Sequence, residues 1–372
     1  MSAKIKVLIV DDSSIIRNMY TKILSGDPEI EVVGTAIDPY VAREKLVELK
    51  PDVMTLDIEM PRMDGLTFLE AVMKHMPIRT IVISSLSTKN SELALRALEL
   101  GAIDVMTKPS LDVSNTLEML RAEVVARVKA VAKARLGIKI NSGAAAKLAV
   151  VSGAAGADVN RGGTPSAAKP GMSNALSKTT HQILAIASST GGTEALKAVL
   201  PYLPADIPGT LIVQHMPPVF TNSFANALQK LCRFEVREAK DGDRVHPGLA
   251  LIAPGNFHME LVRSGAYYYA KLHQEPQMHG VRPAADYLMK TVAKYAGKNA
   301  LGVVLTGMGK DGAAGLLAMR QAGAYTIAQN EETSVVFGMP KEAIECGGAE
   351  KVLPLDVIAN DLAIQFKSRA VA

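Results

Sequence analysis

Five short apolar runs rich in β-branched residues alternate with helical patterns through the first third of this 372-residue chain. The runs lie at 5–10, 31–36, 53–57, 79–84 and 103–107, and the helical patterns near 14–25, 39–49, 65–75, 88–100 and 112–136. In the last of these, Leu117, Leu120, Val124, Val125 and Val128 recur at roughly helical spacing. Strands alternating with helices imply βαβ units and a parallel sheet covered on both faces. The expectation is one compact α/β domain over residues 1–125.

From Asn141 to Lys178 the chain turns to Gly, Ala, Ser, Pro and Asn without a single aromatic residue. Such a stretch buries too little apolar surface to offset its entropy, so residues 126–180 read as a helix extension followed by a flexible linker. As a coil that linker spans roughly 35 Å, enough for two domains to dock or separate. Alternation resumes with ILAIAS (183–188), a helix from about 193, TLIVQH (210–215), a helix from about 220 and FEVRE (234–238). A Gly-, Pro- and His-rich section (241–275) suits an antiparallel hairpin. ALGVVLTG (300–307), a helix from about 312 and YTIAQ (325–329) then complete a second α/β domain over 181–372.

Composition narrows the function classes. A formal charge of +4, with no Lys/Arg block interleaved with aromatics, gives no footprint for nucleic acid. No window approaches 18 uninterrupted apolar residues and no signal-peptide pattern opens the chain, so neither a membrane span nor direct membrane insertion is expected. Two cysteines, Cys232 and Cys346, make no disulfide framework, which fits a reducing cytoplasm.

Asp11, Asp12, Asp57, Ser84 and Lys108 all fall at the carboxyl ends of expected strands, where open α/β sheets bind ligands. Two carboxylates 4 Å apart repel by about 4 kcal/mol at an effective dielectric of about 20, so a hard cation is needed, and Mg²⁺ suits such oxygen ligands. Lys108 supplies a positive charge for a transferring phosphoryl group, and Ser84 a hydroxyl donor. This set, with DxxMPxMDG-like spacing around Asp57, closely resembles the flavodoxin-like receiver domain of bacterial response regulators over about residues 4–125. The resemblance implies that Asp57 is the phosphoacceptor. It also implies that Asp12, Asp57 and the Glu59 backbone carbonyl bind Mg²⁺ with Asp11 in support through water. Ser84 matches the switch hydroxyl, with Ser85 as the adjacent competitor.

In the second domain, SSTGGT places two serines in a tight turn between a strand and a helix, where a hydroxyl stands near helix N–H groups. His215 ends TLIVQH, and Asp311 lies just beyond GVVLTG, so three strand ends deliver Ser189, His215 and Asp311 to one edge. A weak hydroxyl nucleophile needs a base, and the base needs a carboxylate to fix its tautomer. The remaining histidines, His75, His181, His246, His258, His273 and His279, show no zinc-like spacing and read as surface or turn residues. Gly307, Gly309 and Gly312 also match the dinucleotide pattern GxGxxG, which leaves a dinucleotide-binding enzyme as an alternative.

The segments SSTGGT, QHMPPVF, APGNFHM, RPAADYL and TGMGKDGAAGL make residues 181–365 similar to the chemotaxis protein-glutamate methylesterase (CheB) family, in which a receiver precedes the catalytic domain. The resemblance implies a serine ester hydrolase that removes methyl groups from glutamate 5-O-methyl esters on chemoreceptors, releasing methanol, and that also deamidates receptor glutamines. It implies Ser189 as nucleophile, His215 as general base, Asp311 as orienting acid and backbone N–H groups around Met308 in the oxyanion hole. Ala187 and Ser188 stand where the family carries Gly and Ala. A chemotaxis-type histidine kinase would be the phosphodonor; Mg²⁺ serves the receiver, and the hydrolytic site needs no cofactor. From the two-domain layout, the unphosphorylated receiver is expected to cover Ser189. A non-enzymatic phospho-switch adaptor is the other alternative. Lys310 and Arg282 are expected either to face acidic receptor helices or to be solvated surface residues.

Overall fold

A computed structural model of the chain describes residues 3–108, 117–136 and 181–370. The expected linker and the first residues of the fifth helical pattern lie outside the described residues. Five strands, β1 (Ile5–Val10), β2 (Ile30–Ala36), β3 (Val53–Asp57), β4 (Arg79–Ser84) and β5 (Asp104–Thr107), form a sheet in the order β2-β1-β3-β4-β5. All its pairings are parallel. Between the strands run α1 (Ser14–Ser25), α2 (Pro39–Leu49), α3 (Gly65–His75) and α4 (Thr88–Glu99), and α5 (Leu117–Ala132) follows β5.

These helices start where the sequence supplies an acceptor for their unpaired N–H groups. Ser13, Asp38, Asp64 and Ser87 are the N-caps, each accepting from backbone N–H groups one turn inside. β3 is buried along its whole length, and β1 and β4 nearly so, which explains why they read as continuous apolar runs.

The second domain has a seven-stranded parallel sheet in the order β15-β14-β13-β6-β7-β10-β8. Its strands are β6 (Ile183–Ser188), β7 (Gly209–Gln214), β8 (Glu235–Glu238), β10 (Leu249–Ile252), β13 (Ala300–Val304), β14 (Tyr325–Gln329) and β15 (Lys351–Leu353). Six helices accompany it, α6 (Gly192–Val199), α7 (Phe220–Gln229), α8 (Ala285–Ala296), α9 (Ala313–Gln321), α10 (Met339–Glu345) and α11 (Leu355–Ala370). The expected hairpin is present as β11 (His258–Ser264) and β12 (Tyr267–His273), antiparallel and joined by β9 (Arg244–Val245).

The chain starts this sheet in its middle, adds β7, β8 and β10 on one side, then returns to place β13 on the other. Strand order therefore reverses at β6, and that reversal opens a crevice at the carboxyl ends of β7, β6 and β13. The helices α8, α10 and α11, the edge strand β15, and β10, a parallel strand of the main sheet inside the section expected to form the hairpin, were not read from the sequence. A periodic signal exists for two of them: Leu288, Met289, Val292 and Ala296 in α8, and Ile358, Leu362 and Phe366 in α11, are buried at helical spacing.

Candidate active site

In the receiver-like domain, Asp57 is fully buried and its Oδ2 accepts from Lys108 Nζ at 2.6 Å. Lys108 Nζ lies 3.6 Å from Asp11 Oδ2, a buried oxygen with no hydrogen-bond partner, while Asp11 Oδ1 accepts from Ser13 N. Carboxylate oxygens of Asp11, Asp12 and Asp57 lie within 4.8 Å of one another. Burial pushes the Asp57 carboxyl up to about 6, against the Lys108 hydrogen bond and charge. Burial likewise raises Asp11, with the Lys108 charge opposing it. One ammonium among three acids, and a buried carboxylate oxygen left without a donor, are what a divalent cation with oxygen ligands would remedy.

The two adjacent serines differ. Ser85 Oγ donates to Glu59 Oε2 at 3.1 Å and receives Asn90 Nδ2, whereas Ser84 Oγ has only long contacts, 3.4 Å to Asn90 O and 3.5 Å to Ser85 O. Ser84 is the less engaged hydroxyl.

At the end of β6 the two serines of SSTGGT separate in the same way. Ser188 is fully buried and its Oγ donates to Gln214 Oε1 at 2.6 Å. Ser189 is half-buried, and its backbone is pinned on three sides: its N–H to Thr306 O, and its carbonyl to Gly192 N and Gln214 Nε2. Among the described residues no hydrogen bond occupies Ser189 Oγ. Ser188 pairs with Gln214 in the β6–β7 register, so Ser189 and His215 are the next residues along two adjacent strands. The sequence placed His215 at the end of its strand; it stands one residue past the end of β7.

His215 Nε2 lies 2.8 Å from Asp311 Oδ2. Both side chains are almost wholly buried. The Asp311 carboxylate also receives the N–H groups of Ala285 and Asp286, the first two residues of α8, and that of Gly312. Burial works to raise the Asp311 pKa, but the His215 hydrogen bond and charge and the α8 N–H groups outweigh it and hold the carboxyl below its ordinary range. An ionised Asp311 only accepts, so His215 carries its proton on Nε2 and leaves Nδ1 as the free basic nitrogen.

Met308 follows a tightly held peptide. The Gly307 carbonyl accepts from Gly338 N and Met339 N, and a trans peptide then aims the Met308 N–H the opposite way. A β-carbon on Gly307 would stand 2.8 Å from Ser189 Cβ and 2.3 Å from Met339 sulfur, so only glycine lets this loop approach the serine. The GxGxxG glycine at 307 is thus packed against Ser189 and α10.

Several expectations need correction. His258 is no surface residue: it is fully buried, accepts from Ala284 N, contacts Pro276 O and lies 4.3 Å from the Tyr287 ring. His273 stands against the same tyrosine, while His279 is the exposed turn residue expected and in addition reaches Asp286 beside the Asp311 carboxylate. Arg282 is spent on its own loop, donating to Asn256 Oδ1 and to the carbonyls of Gln274 and Glu275, while Lys310 is exposed.

The response regulator receiver domain family matches residues 7–121 and the CheB methylesterase family matches residues 184–362. The chain is 62% identical, over the full length of both proteins, to a protein of Bdellovibrio bacteriovorus named protein-glutamate methylesterase/protein-glutamine glutaminase. The chain belongs to this CheB family. A Syntrophus aciditrophicus protein named protein-glutamate methylesterase/protein-glutamine glutaminase 2 is 50% identical over 97% of this chain and 98% of its own length. The crystal structure of the Thermotoga maritima CheB methylesterase catalytic domain is 41% identical, covering 50% of this chain and 98% of that one at a TM-score of 0.49. This is a family of carboxylic-ester hydrolases with an attached receiver, which removes the non-enzymatic adaptor reading. Receiver membership implies Mg²⁺ binding and a phosphodonor kinase, and CheB membership implies methylated chemoreceptor substrates. Among the described residues no helix is long and apolar enough to cross a membrane.

The receiver of this CheB chain is seated on the crevice. α4 packs on α7, where Ser91 and Ser223 hydroxyls meet at 2.6 Å, and Lys197 of α6 bridges to Glu99. Thr190, the residue after Ser189, donates to Asp104 Oδ2 at 3.0 Å, and Arg127 of α5 holds the same carboxylate at 2.9 Å. Ser189, His215 and Met216 share a pocket with Leu98, Ile103, Asp104 and Val105 of the receiver. That pocket has a volume of about 20 Å³. Such a space holds roughly one water and no glutamyl side chain. A cleft of about 560 Å³ between α5 and residues 331–341 reaches Met308 and Gly309 but neither Ser189 nor His215.

Proposed function

We propose that Ser189 is the nucleophile of a receptor methylesterase, with His215 as its base and Asp311 orienting the base. The observation that carries this reading is a meeting at the carboxyl edge of the sheet: Asp311, in the turn before α9, bonded to His215, and His215 sharing a pocket with an uncommitted Ser189 hydroxyl. His215 Nδ1 takes the hydroxyl proton as Oγ attacks the ester carbonyl, and the oxyanion is received by the Met308 N–H. The imidazolium returns the proton to the departing methoxide, releasing methanol. His215 then takes a proton from water, which cleaves the acyl-enzyme to glutamate and restores Ser189. An amide substrate follows the same course with ammonia leaving. The Ser189–His215 bond is absent in the docked arrangement, as is common before substrate binds. No step calls on a cofactor.

The receiver spans 1–125, the helix extension and linker 126–180, and the catalytic domain 181–372, all in the cytoplasm. Asp57 accepts the phosphoryl group from a chemotaxis-type histidine kinase. Asp12, Asp57 and the Glu59 carbonyl would hold Mg²⁺, with Asp11 in support, and the ion would neutralise the carboxylate charge there. Lys108 and Ser84 bind the phosphoryl oxygens. When Lys108 turns from Asp57 to a phosphoryl group, β5 is disturbed four residues from Asp104, which is bonded to Thr190 beside the nucleophile. Docking weakens and the pocket opens.

Two outcomes test this. Methanol release from a chemoreceptor cytoplasmic fragment, methylated on its glutamates, is expected to rise by roughly tenfold or more when residues 1–140 are removed. A rate no higher than that of the unphosphorylated full chain would mean that the receiver does not occlude the site. Chelating Mg²⁺ with EDTA is expected to abolish radiolabel transfer to Asp57 while leaving the basal methanol rate of the unphosphorylated chain unchanged. A parallel loss of basal release would place a metal in the hydrolytic step.

A further inference from the structure

The carboxylate that orients His215 is itself held by a second acid and a second histidine that the hydrolytic cycle does not use. Asp286 is buried at the second position of α8. Its backbone N–H donates to Asp311 Oδ1, its Oδ1 accepts from Gly315 N in the first turn of α9, and its Oδ2 lies 2.9 Å from His279 Nε2. The side chain therefore ties the N-terminus of α8 to that of α9, and these two helix ends supply the N–H groups around Asp311. Two buried carboxylates side by side need hydrogen-bond donors facing them. His279 Nε2 is 4.0 Å from Asp311 Oδ1 as well, and Lys290 Nζ is 4.0 Å from Asp286 Oδ2 but half-exposed.

His279 reaches this place by way of an unfavourable backbone. Met278 and Val281 exchange two backbone hydrogen bonds, enclosing a two-residue turn in which His279 (φ +55°) and Gly280 (φ +75°) are both left-handed. Asn-Gly is the pair that such turns favour, and histidine is one of the few non-glycine residues enriched at positive φ. The imidazole contact with Asp286 gives the histidine a purpose there. We infer that His279 and Asp286 are positioning residues for the esterase reaction, a second histidine–carboxylate pair that fixes Asp311 so that Asp311 fixes His215. His279, Asp286 and Asp311 also cluster closely enough to surround a cation. Asp311 already takes four donors, however, which leaves it little to offer an ion.

This inference rests on the roles proposed for Ser189, His215 and Asp311. His279→Asn suits the turn and removes the ring. With the phosphorylated full chain and the methylated receptor fragment, it is expected to lower kcat roughly tenfold with KM unchanged. Asp286→Asn, which keeps the shape and an acceptor for Gly315, is expected to do the same. In an Asp311→Ala background neither substitution is expected to lower kcat further, because both act through Asp311. An unchanged kcat, a rise in KM alone, or the same tenfold loss with and without Asp311 would overturn the inference. Ser189→Ala run alongside separates the two readings, since activity surviving there would remove the nucleophile assignment itself.

Discussion

Ser189→Ala is expected to lower methanol release by roughly 10⁴-fold or more, while Ser188→Ala stays within a few fold of the parent rate. The contrast follows from where the two hydroxyls point. Ser188 is sealed in the sheet and donates to Gln214. Gln214 in turn holds the Ser189 carbonyl, so losing the Ser188 hydroxyl costs on the order of 1 kcal/mol of stability and loosens the turn without removing the attacking atom. Ser189 has its backbone fixed and its hydroxyl uncommitted. Methanol release by both variants, measured at matched folding, decides between the serines, and equal losses would put the attack elsewhere.

Asp311→Asn has the second largest expected effect, a fall in kcat of about 10³- to 10⁴-fold. The amide has one face that donates, and it meets either His215 or the α8 N–H groups wrongly. Where it donates to Nε2, the imidazole proton moves to Nδ1 and the base facing Ser189 is lost. The same substitution has a predicted pH signature in stability. The folded-state pKa of Asp311 lies below its ordinary value, so its contribution is present above the unfolded-state pKa and is lost as pH falls through the folded one. The melting-temperature gap between parent and Asp311→Asn is therefore widest at neutral pH and closes below the ordinary carboxylate range. A gap that stays constant into acid would mean that Asp311 is not ionised in the fold.

Much of this was legible because the two sheets are parallel and buried. Runs such as IKVLIV and ILAIAS have no polar face to confuse, and ligand-bearing residues in such sheets must follow the strands. Asp57, Ser189 and Asp311 were locatable on that ground. Ser189 rather than Ser188 was favoured by the family resemblance alone, since strand ends do not tell which hydroxyl the pleat turns toward Gln214. The burial of His258 was not legible, because the groups that enclose it come from distant parts of the chain. His258 Nδ1 takes the Ala284 N–H, 26 positions on, whereas His279 meets Asp286 only seven positions on. The contact of Asp104 with Thr190 joins residues 86 positions apart across the linker, and no local pattern foretells it.

Reaction of the full chain with a serine-directed phosphonate ester, followed by peptide mass measurement before and after phosphorylation, tests the central claim most directly. The adduct is predicted on Ser189, slow to form while the receiver is unphosphorylated, fast once Asp57 carries phosphate, and lost in His215→Ala. An adduct on Ser188, or one on Ser189 that forms at the same rate in both states, would contradict the account.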